Sequence, residues 1–185
     1  MDDARDPNRI DLVILVDRDD RPIGEAEKIA CHHHPVPLHR AFSVFLFDAA
    51  GRMLITQRSQ AKATWPGSWS NACCSHPRPG EDVAAGAVRR VREELGLEAE
   101  LRRLFSFVYD AHYDETHGEH ELDHVFVGAL KGEPTPDPTE IAAWRLVDAE
   151  TLRAELAERP EAFSPWFRLS VERVLAEDRS SRAGG

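Results

Sequence analysis

Apolar and polar positions along this chain recur in two periods, and each period marks its own kind of element. Ile10–Asp17 (IDLVILVD) is a β-branched run stopped by RDDRPIG, so it reads as a strand followed by a turn. Ala41–Asp48 (AFSVFLFD), an Ala-Ala-Gly turn and Met53–Gln57 (MLITQ) read as a hairpin. Residues 58–81, rich in Pro, Gly, Trp and Ser and without periodicity, read as a loop. Val83, Ala87, Val88, Val91 and Leu95 then recur at three- and four-residue steps, which predicts a helix over Glu81–Leu95 stopped by Gly96. Leu101–Tyr109 and Glu119–Leu130 read as strands on either side of a polar loop. Pro134–Pro138 is a further loop and Ala143–Val147 a short strand. Asp148 is placed to cap a helix running to about Glu158, and Ser164-Pro165 to start another through Glu177. The order is β-rich with interspersed helices, an α+β fold in one domain over residues 10–178. The polar ends, 1–9 and 179–185, are expected to be flexible tails.

Composition narrows the function classes. The 185 residues carry 23 basic and 33 acidic side chains, a net charge of −10 and a pI near 5.4. A nucleic-acid reader needs a basic face, so no nucleic-acid partner is expected. An anionic small molecule stays open, because a few clustered cations dominate a local field. No apolar run approaches the roughly 20 residues of a membrane span, and MDDARDPNR lacks the pattern of a secretory signal. Three cysteines, two of them adjacent, make a poor disulfide framework. A cytoplasmic monomer is the expectation.

Nine histidines are many for this length. Six fall in His32-His33-His34…His39 and His117…His120, with His76 beside Cys74 and His124 further on. In Glu119-His120-Glu121, strand alternation sends both glutamates to one face. Two carboxylates on one face repel, which raises a pKa or calls for a cation. Imidazoles and carboxylates together suit a first-row divalent ion such as Mn²⁺ or Zn²⁺. The plain alternative is a set of solvated histidines beside a charged strand face. His33 and His34 read as loop residues, and His112, His117, His120 and His124 as surface polar groups, His124 lying nearest the metal edge.

Ser75–Leu97 (SHPRPGEDVAAGAVRRVREELGL) resembles the Nudix box. Glu81, Arg89, Val91, Glu93, Glu94, Gly96 and Leu97 fit it, while Ser75 replaces its first glycine and Arg90 the first glutamate of its run. That exchange swaps a metal ligand for a diphosphate donor. An exposed helix with Arg89–Glu93 and Arg90–Glu94 pairs would explain the charges but not the fixed spacing across the segment. Around the box, Trp65-Pro-Gly-x-Trp69-x-Asn71-x-x-Cys74-x-His76-Pro77, Arg58-x-x-x-Lys62, Glu27-Lys28 before His32 and His39, Tyr109 ten before Glu119-x-Glu121, and Ala162-Phe-Ser-Pro-Trp166 resemble the type I isopentenyl-diphosphate isomerases. The resemblance runs from about Leu12 to about Val174.

The resemblance implies a Nudix-type mixed sheet flanked by helices, and an enzyme that interconverts isopentenyl and dimethylallyl diphosphate in isoprenoid biosynthesis. Carried over by position, His32, His39, His76, Glu119 and Glu121 would ligate one divalent metal, Mn²⁺ or Zn²⁺ with Mg²⁺ a third candidate. Glu94 would hold a Mg²⁺ bound with the substrate diphosphate. Lys28, Arg58, Lys62 and Arg90 would contact the phosphates. Cys74 and Glu121 would be the proton-transfer groups, with Tyr109 hydrogen-bonded to the glutamate and Cys73 a buried hydrophobe on the opposite face. Trp69 and Trp166 are candidates to support the tertiary cation that alkene protonation creates. The alternatives are a Nudix hydrolase of a nucleoside or other diphosphate, and an inactive binding module.

Overall fold

The computed structural model describes residues 11–183. In chain order the elements are β1 (Leu12–Val16), β2 (Pro22–Glu27), α1 (Lys28–Cys31), β3 (His39–Phe47), β4 (Met53–Arg58), β5 (Trp69–Ser70), β6 (Cys73–Ser75), α2 (Val83–Leu95), β7 (Leu101–His112), β8 (Gly118–Ala129), β9 (Ile141–Val147), α3 (Ala149–Glu158), a 3₁₀ turn at Pro160–Ala162, and α4 (Pro165–Ala183).

The nine strands form one mixed, open sheet organised around β3. Along one edge β3 runs parallel to β8 for its whole length, from His39 beside Glu121 to Phe47 beside Ala129. Its other edge is shared in sequence by β1 at Leu15, β6 at Cys73–Ser75 and β4 at Met53 and Leu54. β8 continues into the antiparallel β7, and β4 into β5 and β9. Nearly every β3 residue is buried because both faces are covered. Phe42, Val44 and Leu46 face α2 through Ala87, Val91 and Leu95. Phe45 and Phe47 face α4 through Trp166, Phe167 and Val171, with Phe163 just before the helix in the same cluster.

Local chemistry ends the helices where the sequence says it should. The Asp82 carboxylate accepts from Ala85 N–H at the start of α2, and the Asp148 carboxylate does the same for Thr151 before α3. Gly96 closes α2 at φ 66°, a left-handed conformation that glycine adopts without penalty, and a Cβ there would also run into Thr135.

Three stretches depart from the pattern reading. The turn after β1 is shorter than RDDRPIG, because β2 begins at Pro22; it is exposed nearly throughout and so carries no hydrophobic signal. A proline at the first residue of a strand costs no ladder bond. The segment 58–81 holds β5 and β6, both too short to show a period. The last helix passes Glu177 and continues through Ala183, into the stretch expected to be a tail. The tail expected over 1–9 lies outside the described residues.

Candidate active site

On the α4 side of the sheet, the parallel β3/β8 pair changes character along its length. Val125, Val127 and Phe45 are core, whereas His39, Glu119, Glu121 and Asp123 are buried and polar. The polar end lies where α1 and the segment leading to β3 bring in His32 and where His76 follows β6. His32, His39, His76, Glu119 and Glu121 each offer a ligand atom, all within 4.8 Å of one another. His32 Nε2 is 2.9 Å from Glu119 Oε2, and His76 Nε2 and His39 Nε2 are 2.9 and 3.5 Å from Glu121 Oε1. Backbone carbonyls of Lys28 and Pro37 take Nδ1 of His32 and His39, which turns both Nε2 atoms inward. His39 Nε2 is buried with no aligned hydrogen-bond partner, as is Glu119 Oε2 despite its nearness to His32. Three imidazoles and two carboxylates converging with orphaned atoms fit a divalent ion.

Charges within the cluster are set by the competition between burial and ion pairing. Burial pushes the His76 imidazole down to about 3, which keeps it in the neutral form that ligates. Burial pushes Glu121 up, but His39 and His76 outweigh it and hold the carboxyl well below the usual range. For Asp123, burial and then the Glu121 charge act together and raise it to about 8, against the pull of the Ser43 hydroxyl.

A cavity of about 640 Å³ opens beside the cluster, walled by Lys28, Arg58, Lys62, Arg90, Cys74, Tyr109 and Trp166 along with His32, His76, Glu119 and Glu121. Burial lowers Lys28, and the Lys62 and Arg90 charges lower it further. Such crowding is relieved by an anion. Glu140, at the head of β9, already joins two of these cations: it pairs with Lys62 and accepts from Arg90 Nη2 at 3.1 Å. Arg58 is fixed from behind by the carbonyls of Thr64 and Trp65, with its guanidinium 5.1 Å from the centre of the Trp166 ring.

Cys74 and Glu121 share this cavity. The Tyr109 hydroxyl donates to Glu121 Oε2 at 2.6 Å. The Cys74 thiol donates to Asn71 Oδ1 at 2.9 Å, and Trp166 Nε1 donates to its sulfur at 3.0 Å. Burial, with the Asp123 charge next, pushes this thiol up to about 12. Alternation in β6 turns the neighbouring Cys73 to the other side of the sheet, 2 % exposed against α2.

Two expected site residues lie elsewhere. Trp69 is not on the cavity wall: in the two-residue β5 the neighbouring Ser70 bonds Trp166, and Trp69 stacks under Arg145 at 4.8 Å. Glu94 is also off the wall and outside the five-residue cluster, its Oε1 taken by Arg90 Nε and Nη2 at 3.0 and 2.6 Å. His124 is not a surface group: it is 1 % exposed and faces Asp20 rather than the cluster. Asn71, Ser43, Asp123, Thr64 and Glu140 all serve the site and were given no role from the sequence. Asp123 had a signal, since it stands two residues after Glu121 on one strand face.

A NUDIX domain model matches residues 37–167. The "Isopentenyl-diphosphate Delta-isomerase" of Burkholderia multivorans is 48 % identical over 162 residues, covering 88 % of this chain and 92 % of that protein. The "Isopentenyl-diphosphate Delta-isomerase 1" of Aromatoleum aromaticum is 47 % identical over 173 residues, covering 92 % and 97 %. The chain belongs to the isopentenyl-diphosphate Delta-isomerase family. It shares its fold with solved structures of much lower sequence identity. A crystal structure of a Deinococcus radiodurans protein superposes with a TM-score of 0.70 at 20 % identity, covering 90 % of this chain and 98 % of that one. A MutT protein from Methanosarcina mazei gives 0.64 at 19 %, covering 77 % and 96 %.

Within this member of the isopentenyl-diphosphate Delta-isomerase family, Glu140 makes a pH-dependent contribution to stability. Burial pushes its carboxyl up, but Lys62 and then Arg90 outweigh it and bring it from 4.5 down to about 2. A depressed acid stabilises the fold above its unfolded value and loses that stability as pH falls through its folded value. Glu140→Gln is therefore expected to lower stability at pH 7 by about 1–3 kcal/mol. The gap from the parent closes as pH drops from about 4.5 to about 2, which thermal melts across that range will show.

Proposed function

We propose that this chain interconverts isopentenyl and dimethylallyl diphosphate, with Cys74 and Glu121 as the two proton-transfer groups. The observation that carries the reading is that both open onto one cavity that is also lined by four cations and lies against a five-residue cluster able to hold a metal ion. Lys28, Arg58, Lys62 and Arg90 bind the diphosphate and fix the direction in which the five-carbon chain lies. An unactivated alkene is a very weak base, so the acid that protonates it works away from bulk water. The burial of Glu121 and Tyr109, with Cys74 half-buried beside them, meets that condition. A proton added at the terminal alkene carbon leaves a cation on the branched carbon. Loss of a proton from the carbon nearer the diphosphate restores neutrality with the double bond moved by one position. Trp166 and Tyr109 line the space where that cation forms, and their ring faces favour it by about 0.5–2 kcal/mol each. Tyr109 holds Glu121 in place through its hydroxyl.

We assign the cluster to Mn²⁺ or Zn²⁺, with Mg²⁺ a third candidate, ligated by His32, His39, His76, Glu119 and Glu121. When bound, the ion supplies positive charge that tunes the acidity of the Glu121 carboxyl. Glu94, whose Oε1 is paired with Arg90, would hold a Mg²⁺ bound with the diphosphate, and that ion would supply charge to neutralise the phosphates. Among the described residues no helix is long and apolar enough to cross a membrane. We infer a cytoplasmic monomer acting on a small molecule, without a nucleic-acid or membrane partner.

The test incubates the purified protein with isopentenyl diphosphate and Mg²⁺ in deuterated water and follows products by proton NMR. Dimethylallyl diphosphate carrying deuterium in a methyl group is the expected result. Unchanged substrate, or phosphate released with a monophosphate, overturns the reading in favour of a binding module or a hydrolase.

A further inference from the structure

The hydrogen bonds around Cys74 all point one way. Asn71 is 1 % exposed, and its NH₂ group donates to the carbonyls of Val44 and Cys73 at 3.1 and 2.8 Å. A flipped amide would set its oxygen against those two carbonyls, so its orientation is determined. Oδ1 is left facing the Cys74 sulfur at 2.9 Å and the Ser70 hydroxyl at 3.0 Å. An amide oxygen has no hydrogen to give, so both neighbours donate to it. With its hydrogen committed to Asn71, Ser70 accepts from Trp166 Nε1 at 3.0 Å and takes the Ser164 hydroxyl as donor at 2.9 Å. The same indole N–H lies 3.0 Å from the Cys74 sulfur. Ser43, 3.7 Å from that sulfur, has its one hydrogen engaged with Asp123 Oδ2 at 2.7 Å.

We propose that Asn71 is a positioning residue for Cys74: its amide oxygen holds the thiol hydrogen in one rotamer while the Trp166 N–H holds the sulfur from another side. The role rests on the proposed proton transfer at Cys74. A thiol on a short side chain samples three staggered orientations about Cβ–Sγ. Here one of them is selected before substrate arrives, and a turn about that single bond delivers the hydrogen to the cavity without any movement of the backbone. Preorganisation of this kind acts on the chemical step rather than on diphosphate binding, because the side-chain hydrogen bonds of Asn71 run to Val44, Ser70, Cys73 and Cys74 and not to the phosphate-binding cations.

The S–H stretch of the full-length protein tests this without turnover. An infrared difference spectrum, parent minus Cys74→Ala, isolates the Cys74 band. Its expected position lies below that of an alkyl thiol in an apolar solvent, and Asn71→Ala is expected to move it upward. A parent band at the free-thiol frequency, the lack of any Cys74 S–H band, or a band unmoved in Asn71→Ala overturns the proposal. Should Asn71→Ala fail to fold, with the Val44 and Cys73 carbonyls left without a donor, the parent band alone decides. In the folded variant kcat is expected to fall about 10- to 100-fold with KM little changed. A raised KM at unchanged kcat overturns the positioning role. Failure of the isomerisation assay with a shifted, Asn71-dependent band would remove the reaction while leaving the hydrogen-bond assignment in place.

Discussion

Turnover of isopentenyl diphosphate is expected to fall by about 10³- to 10⁴-fold on Glu121→Gln, with the fold retained. The carboxylate is 8 % exposed and both its oxygens are engaged: Oε1 with His76 and His39, Oε2 with the Tyr109 hydroxyl. Glutamine keeps the shape but puts an NH₂ where one of these acceptors stood. It can neither carry the proton the alkene needs nor offer an anionic ligand to the cluster. Metal content measured on the same sample separates the two losses. A variant that retains metal and is inactive points to proton transfer, and one that loses metal points to ligation. Cys74→Ser is the companion variant. Its hydroxyl can still donate to Asn71 and accept from Trp166, so packing and hydrogen bonding survive, while a hydroxyl is a far weaker acid than a thiol. A loss of about 10²- to 10⁴-fold is expected in the NMR assay. Near-parental turnover in either variant removes that residue from its assigned role.

Much of this site was legible because strand geometry is simple. Glu119 and Glu121 share a face by alternation. Cys74 and His76 share one by the same rule, with Cys73 thrown to the other side. The spacing of the Nudix-like helix likewise announced Arg90 on an amphipathic turn with a glycine stop. Register was not legible. Nothing local says that β3 runs parallel to β8 with His39 beside Glu121, or that β6 lays Cys74 against Ser43. Asn71 was visible as a motif residue but not as a fixed acceptor, since its orientation depends on the Val44 carbonyl of a distant strand. Glu140 had no sequence signal, because its partners Lys62 and Arg90 come from other parts of the chain. The place of Trp69 off the cavity wall was not legible for a related reason. Trp65 and Trp69, four residues apart in a Pro- and Gly-rich segment, carry no local signal for the side each takes; neither is on the cavity wall, and Trp69 lies under Arg145. His124 looked like one more surface polar histidine, yet the sheet buries it next to Asp20.

Phe167→Ala is expected to cost about 3–5 kcal/mol of folding stability, enough to lower Tm by about 10 °C in a domain of this size. Phe167 is wholly buried and belongs to the cluster that seats α4 on the sheet. Its ring stacks between Phe45, 6.0 Å away on β3, and Phe163, 5.7 Å away just before the helix. Alanine leaves a cavity with aromatic walls on both sides, and strand β3 cannot move inward because β8 and β6 fix both its edges. Urea unfolding should shift the midpoint while leaving the slope unchanged. Leu169, 61 % exposed on the same helix, supplies the control, with Leu169→Ala expected within about 0.5 kcal/mol of the parent. The neighbour of Phe167 is Trp166, which reaches from the same helical turn into the cavity and holds the Cys74 sulfur. A loosened α4 therefore loosens the sulfur as well, so kcat of Phe167→Ala should fall even at temperatures where the variant is fully folded. If kcat stays at the parental value there, the seating of α4 and the positioning of Cys74 are independent.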